Sequence, residues 1–126
     1  MTTPVPPTQS PRRVLFVEDE PGLRRAYQRF FARQYDMAFA GTGREARAEF
    51  ERFQPHVLVL DLRLPDADGV DVLRDLRALR PDLPVVITTS YSSMQPLVEL
   101  LGLKHSGYVV KPFDLNDLSS LIDDAR

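Results

Sequence analysis

Five polar residues of this 126-residue chain stand where short apolar runs stop: Glu18, Asp19, Asp61, Thr89 and Lys111. Val14-Leu15-Phe16-Val17 runs into Glu18-Asp19, and Val57-Leu58-Val59-Leu60 into Asp61. Val85-Val86-Ile87-Thr88 runs into Thr89, and Gly107-Tyr108-Val109-Val110 into Lys111. Short aliphatic runs rich in β-branched residues read as strands buried on both faces, the habit of a parallel sheet. Taken alone, Asp61 could simply solvate a strand exit or cap the next segment. Gathered at one sheet edge, the five residues have a chemistry. Three carboxylates held close repel one another. A hard divalent cation relieves that repulsion, and oxygen ligands with room for water suit Mg²⁺. Lys111 adds positive charge, and Thr89 adds a hydroxyl donor. A carboxylate beside a metal, with donors ready for new oxygens, is equipped to act as nucleophile toward a phosphoryl group.

Helices must alternate with those strands to place the five residues together. Pro21 suits the first turn of a helix, where a missing N–H costs nothing. Leu23, Ala26, Tyr27, Phe30 and Phe31 then recur at helical spacing, predicting an amphipathic helix to about Arg33. Tyr35 to Ala40 reads as a less apolar strand at a sheet edge. After Gly41-Thr42-Gly43 a second helix carries Ala46, Phe50 and Phe53, and Pro55 closes it. Pro65 to Gly69 reads as a loop, followed by a third helix with Val70, Leu73, Leu76 and Leu79. Pro96 leads a short fourth helix over Leu97 to Leu101, weakened at Gly102. Asp114 or Asn116 caps a fifth, whose apolar face is Leu115, Leu118, Leu121 and Ile122. The pattern is (βα)5. Parallel strands need crossover connections, so it implies an α/β three-layer sandwich, a five-stranded parallel sheet between helices. A flavodoxin-like order 2-1-3-4-5 fits, with its switch point between the first and third strands. Glu18, Asp19 and Asp61 would meet there.

Composition narrows the classes. Hydrophobic residues make up 43% and charged residues 27%, the balance of a globular protein with one core. The net charge of −2 gives no basic excess for direct nucleic-acid binding. Cysteine is absent and there are two histidines, His56 and His105, which excludes disulfides, thiolate metal sites and a His-rich centre. No apolar run is long enough for a membrane span, and the N-terminus lacks a signal-peptide core. A cytoplasmic location is the expectation. Residues 1–11 are rich in proline and polar residues and read as a flexible tail, or as a docking peptide; residues 12–126 form the folded unit. Asp66-Ala67-Asp68-Gly69-Val70-Asp71 hints at a calcium loop, but with Gly69 at the sixth position Leu64 would be the first ligand, which rules out an EF-hand.

Four segments, in order, resemble the receiver domain of bacterial response regulators, the CheY-like fold. They are Val17-Glu18-Asp19-Glu20, the run from Val59-Leu60-Asp61 to Asp68-Gly69, Val86-Ile87-Thr88-Thr89-Ser90, and Tyr108-Val109-Val110-Lys111-Pro112-Phe113. The resemblance covers about Arg12 to Arg126. It implies that Asp61 accepts a phosphoryl group and that Glu18, Asp19 and Asp61, with the backbone carbonyl of Arg63, hold Mg²⁺. It implies that Thr89 and Lys111 contact the phosphoryl oxygens and that Tyr108 turns inward on activation. It also implies a cis peptide bond before Pro112. The donor would be a sensor histidine kinase or a phosphotransfer protein. The face of the fourth helix, fifth strand and fifth helix would then switch, toward a downstream protein partner, an effector domain or a homodimer. The domain would catalyse only its own phosphorylation and dephosphorylation.

Some residues depart from that pattern. Glu18 stands where an aspartate is common and lengthens the reach. Ser90 replaces a frequent alanine and is still small. Arg63 and Tyr91 occupy positions that tune dephosphorylation. The segment around Pro96 and Gly102 departs most, which keeps open a pseudo-receiver that binds partners without phosphorylation. A phosphatase of the haloacid dehalogenase type needs a second aspartate two residues after the first. Arg63 stands there instead, and the chain has no room for a cap domain.

Overall fold

The computed structural model describes residues 11–90 and 107–125. The proline-rich tail at 1–10, Tyr91, the expected fourth helix around Pro96 and Gly102, and His105 lie outside the described residues. Five strands alternate with helices: β1 (Arg12–Val17), α1 (Pro21–Phe30), β2 (Tyr35–Ala40), α2 (Gly43–Phe53), β3 (Val57–Asp61), α3 (Gly69–Leu79), β4 (Val85–Thr89), β5 (Gly107–Val110) and a C-terminal helix, α4 (Leu115–Asp124). The sheet order is β2-β1-β3-β4-β5, and each neighbouring pair is parallel. This is the flavodoxin-like order that the alternation implied, with β2 at an edge.

The pleat splits the strands into two sets of side chains. Leu15, Val17, Leu58, Leu60, Val85 and Ile87 face α2 and α3, where Ala46, Phe50, Val70, Leu73 and Leu76 complete one core. Val14, Phe16, Val57, Val59 and Val86 face α1 and α4, meeting Tyr27, Phe31, Leu118 and Ile122. Period-two alternation along each strand therefore feeds two cores, which is why no polar face interrupts the runs. Phe16 stacks among Tyr27, Phe31 and Phe39, with ring centroids 4.7, 5.6 and 5.4 Å away.

Caps set the helix ends. Thr42 accepts from the Glu45 N–H at 3.0 Å, Asp68 from Val70 at 2.9 Å and Asp114 from Asn116 at 2.8 Å, so α2, α3 and α4 each open on a satisfied amide. Helix α1 stops at Phe30 rather than near Arg33. The Phe31 carbonyl accepts from both Gln34 and Tyr35, which turns the chain into β2. Gln54 ends α2 in the left-handed region at φ 52°, before Pro55 can extend it. At the opposite end of the sheet from the polar edge, the Arg12 guanidinium donates to Ile122 O at 2.6 Å and Ala125 O at 2.5 Å, and the Tyr35 hydroxyl donates to Asp123. Those contacts fasten α4 to the starts of β1 and β2. Among the described residues, no helix is long and apolar enough to cross a membrane.

Candidate functional site

The site is built by strand ends. Residues Val17 and Leu60 are register partners in adjacent β1 and β3, so Glu18 and Asp61 leave neighbouring strands at the same level. Asp61 pairs in register with Thr88, and Thr89 with Val110, which brings Thr89 and Lys111 to the same edge. The Lys111 N–H donates to the Thr89 carbonyl at 2.7 Å and prolongs the β4–β5 ladder by one step. The peptide bond from Lys111 to Pro112 is cis.

Oxygen atoms of Glu18, Asp19 and Asp61, one per carboxylate, lie within 4.8 Å of one another. Glu18 is 1% exposed and Asp61 3% exposed, whereas Asp19 faces solvent. The Lys111 ammonium donates to Glu18 Oε1 and to Asp61 Oδ2, both at 2.7 Å. The Arg63 N–H donates to Asp61 Oδ1 at 2.8 Å, and the Glu20 N–H to Glu18 Oε2 at 3.1 Å. Each oxygen of the two buried carboxylates thus has a donor, as buried charge requires.

Electrostatics follow from burial. Loss of solvent pushes the Glu18 carboxyl up to about 7, further raised by the charge of Asp61 and opposed by the hydrogen bonds from Lys111 and Glu20. Burial works against the charge on Lys111, but its hydrogen bonds to Asp61 and Glu18 outweigh burial and hold its ammonium above the usual range. Among the described residues, one ammonium is hydrogen-bonded to this cluster of three acids, a local deficit of positive charge. A divalent cation fits that deficit and that all-oxygen donor set. Glu18, Asp19 and Asp61 would hold it, with carbonyl oxygen from the Arg63 segment.

The pocket opens into a cleft of about 440 Å³ lined by Glu18, Asp19, Glu20, Arg63, Leu64, Pro65, Ser90 and Lys111. Thr89 is fully buried at the end of β4. Tyr108 is half-buried and packs against the α2–α3 core. The structure therefore gathers Glu18, Asp19, Asp61 and Lys111 in direct contact range, sets Arg63 in the cleft wall and puts Thr89 one strand over. Tyr108 sits three residues back along β5. His56 accepts from the Arg13 N–H through Nδ1 at 2.8 Å. Sequence reading misses a role for Asp66. Local spacing assigns it to its own loop and the start of α3, but its carboxylate caps α2, a contact that no local spacing signals.

Comparisons with known proteins agree with this geometry. The family model for the response regulator receiver domain matches residues 14–123. Regulatory protein AtoC of Escherichia coli is 35% identical over 114 residues, covering 90% of this chain and 25% of AtoC. The chain therefore spans about a quarter of that curated relative. The crystal structure of a CheY-like receiver domain protein from Methanospirillum hungatei superposes with a TM-score of 0.82 at 27% identity, covering 90% of this chain and 92% of that one. Response regulator protein TrrA from Thermotoga maritima, in complex with Mg²⁺-BeF, gives a TM-score of 0.79 at 26% identity, covering 89% and 96%. With the sheet order, the acidic edge and the family match in agreement, the chain belongs to the response regulator receiver domains, signalling domains of two-component systems.

Proposed function

We propose that this chain is a phosphorylation-controlled switch in which Asp61 accepts a phosphoryl group from a phosphohistidine. The observation that carries the reading is the environment of Asp61. Its carboxylate ends the central strand almost fully buried, fixed by Lys111 at 2.7 Å and the Arg63 amide at 2.8 Å, beside Glu18 and Asp19. The Mg²⁺-BeF complex of TrrA supports Mg²⁺ as the ion for the acidic cluster. When bound, Mg²⁺ supplies charge that offsets the negative oxygens of the phosphoryl group.

The residues divide the work. An Asp61 oxygen forms the new O–P bond as the P–N bond to the donor imidazole breaks, and the imidazole leaves with its electron pair. Lys111 is placed to follow the phosphoryl oxygens, since its ammonium already reaches the Asp61 carboxylate. Thr89 offers a hydroxyl donor from the next strand. Glu18 and Asp19 hold the ion, and the Arg63 carbonyl adds a ligand. The new acyl phosphate then biases a two-state equilibrium, with Thr89 and Tyr108 as the moving side chains. Signalling passes through β5 and the helices beside it to a downstream protein partner, an effector domain or a second copy of the chain. The donor is a sensor histidine kinase or a phosphotransfer protein, and the setting is the cytoplasm. Residues 12–126 are the receiver unit, and 1–11 a tail outside it. Enzymatic activity is confined to the domain's own phosphorylation and dephosphorylation.

Intact mass after incubation with acetyl phosphate and Mg²⁺ tests the reading, for wild type and Asp61→Asn. A single phosphoryl adduct on wild type, absent from the variant and lost on chelation, is expected. No adduct, with no response to beryllofluoride, would overturn it in favour of a pseudo-receiver that binds partners unmodified.

A further inference from the structure

The loop between β3 and α3 carries Arg63 and walls the cleft with Arg63, Leu64 and Pro65. Its base is well tied. Leu62 N–H donates to Thr88 O at 3.2 Å, Gly69 N–H to Leu62 O at 2.9 Å, and Arg63 bridges Asp68. Its tip, residues 64–67, has no such ladder. Among the described residues, the hydrogen bonds that tie the tip to another element both end on Asp66. Its Oδ1 accepts from the Gly43 N–H at 2.7 Å and its Oδ2 from the Arg44 N–H at 3.1 Å. The approach is close: a Cβ at Gly43 would lie 3.0 Å from Ala67 Cβ and 3.1 Å from Val72 Cγ2, so those side chains would have to give by a few tenths of an ångström.

Helix α2 does not depend on this contact for its cap, because Thr42 already accepts from Glu45 at 3.0 Å. The bidentate carboxylate instead joins the first two amides of α2 to the wall of the cleft. We propose that Asp66 is a positioning residue for phosphoryl acceptance at Asp61: by clamping the loop tip onto α2, it fixes the Arg63 segment and the cleft wall in register with Glu18, Asp19 and Asp61. The proposal rests on the receiver reading above. The Gly43 and Arg44 amides also hold the Asp66 carboxyl below the usual range, so the clamp stays ionised around neutral pH. Two charge-assisted bonds from rigid helical amides restrict a loop far more than one neutral bond would. A carbonyl ligand on a loose loop is dispersed over many positions and binds more weakly.

The test compares wild type, Asp66→Ala, Asp66→Asn and a control, Glu49→Gln. The control removes the ion pair between Glu49 and Arg52 within α2, six residues along the helix from Gly43. Three readouts are taken: Mg²⁺ affinity by calorimetry, initial rate of acetyl phosphate labelling, and amide exchange across residues 62–69. Asp66→Ala should weaken Mg²⁺ binding by about 10-fold, the low end for loss of an outer partner of a metal site. Its labelling should slow at limiting Mg²⁺ and recover at saturation, and its amides at 63–67 should exchange faster. Asp66→Asn keeps one acceptor for Gly43 and should fall between. The control should match wild type. Unchanged exchange at 63–67, or Mg²⁺ affinity within about twofold of wild type, would overturn the proposal. A wild type inert to both Mg²⁺ and acetyl phosphate would overturn the receiver reading and this link with it, a result visible before any variant is made.

Discussion

Tyr27 lies in the middle of α1 with its side chain fully buried, and its hydroxyl has no partner among the described residues. Burial, and then the charges of Glu18 and Asp61, raise its phenol well above the ordinary range, so it stays protonated. A buried hydroxyl without a partner costs about 1–3 kcal/mol of desolvation. Tyr27→Phe should therefore fold at least as stably as wild type, with a gain of up to about 1–2 kcal/mol, read from urea unfolding midpoints at unchanged m. A clear loss would show that the hydroxyl holds a partner. His56 gives the matching prediction for pH. Burial, aided by Arg13, Arg12 and Arg80, lowers its pKa from 6.5, and its neutral Nδ1 is the acceptor for Arg13. The unfolded chain then binds the proton more readily, so the stability from neutral His56 is full above pH 6.5 and is lost as pH falls through the folded value. Glu18, raised to about 7 from 4.5, acts in the opposite sense between those values, because there the folded state binds the extra proton. The check is therefore the difference in thermal midpoint between wild type and His56→Gln, which should narrow below pH 6, with an NMR titration of His56 centred under its ordinary value.

At the scale of elements, the entry to α3 decides the shape of the site. Gly69 opens that helix, and a Cβ there would lie 2.4 Å from Leu62 Cα and 2.7 Å from Leu62 C and O. Backbone cannot yield as a side-chain tip does. Gly69→Ala must push α3 away from the strand exit that carries Asp61. A destabilisation of about 1–3 kcal/mol is expected, together with weaker Mg²⁺ binding, since Leu62 adjoins Asp61. Retention of full stability would mean that α3 can slide without cost. The same helix shows how caps divide their labour. Asp68 caps its own helix, while Asp66, two residues earlier, reaches α2.

Across the whole molecule, two cores on opposite faces of one sheet hold the strand ends rigid while leaving the acidic edge open. That rigidity makes ion binding measurable as stability. A cation that binds only the folded chain adds about 2.7 kcal/mol at one hundred times its Kd. Mg²⁺ should therefore raise the thermal midpoint of wild type in a concentration-dependent way, and Asp19→Asn should blunt the rise. An equal response in both proteins would place the ion elsewhere.

The order of elements and the residues of the acidic edge were legible in the sequence, because buried parallel strands must be continuously apolar and their first polar residue marks the exit. Val57 to Leu60 followed by Asp61 needed no coordinates to be read as the central strand and its end. The cap of the last helix was legible as Asp114 or Asn116, since such side chains act within a few residues. Contacts that close over long sequence distances were not legible. The clamp from Asp66 to Gly43, the fastening of Arg12 to Ala125 and the shared ammonium of Lys111 between Glu18 and Asp61 join residues tens to more than a hundred positions apart. Local spacing carries no trace of such pairs. They form only once right-handed crossovers have stacked the strands in one order, and tertiary packing alone decides which oxygen meets which proton.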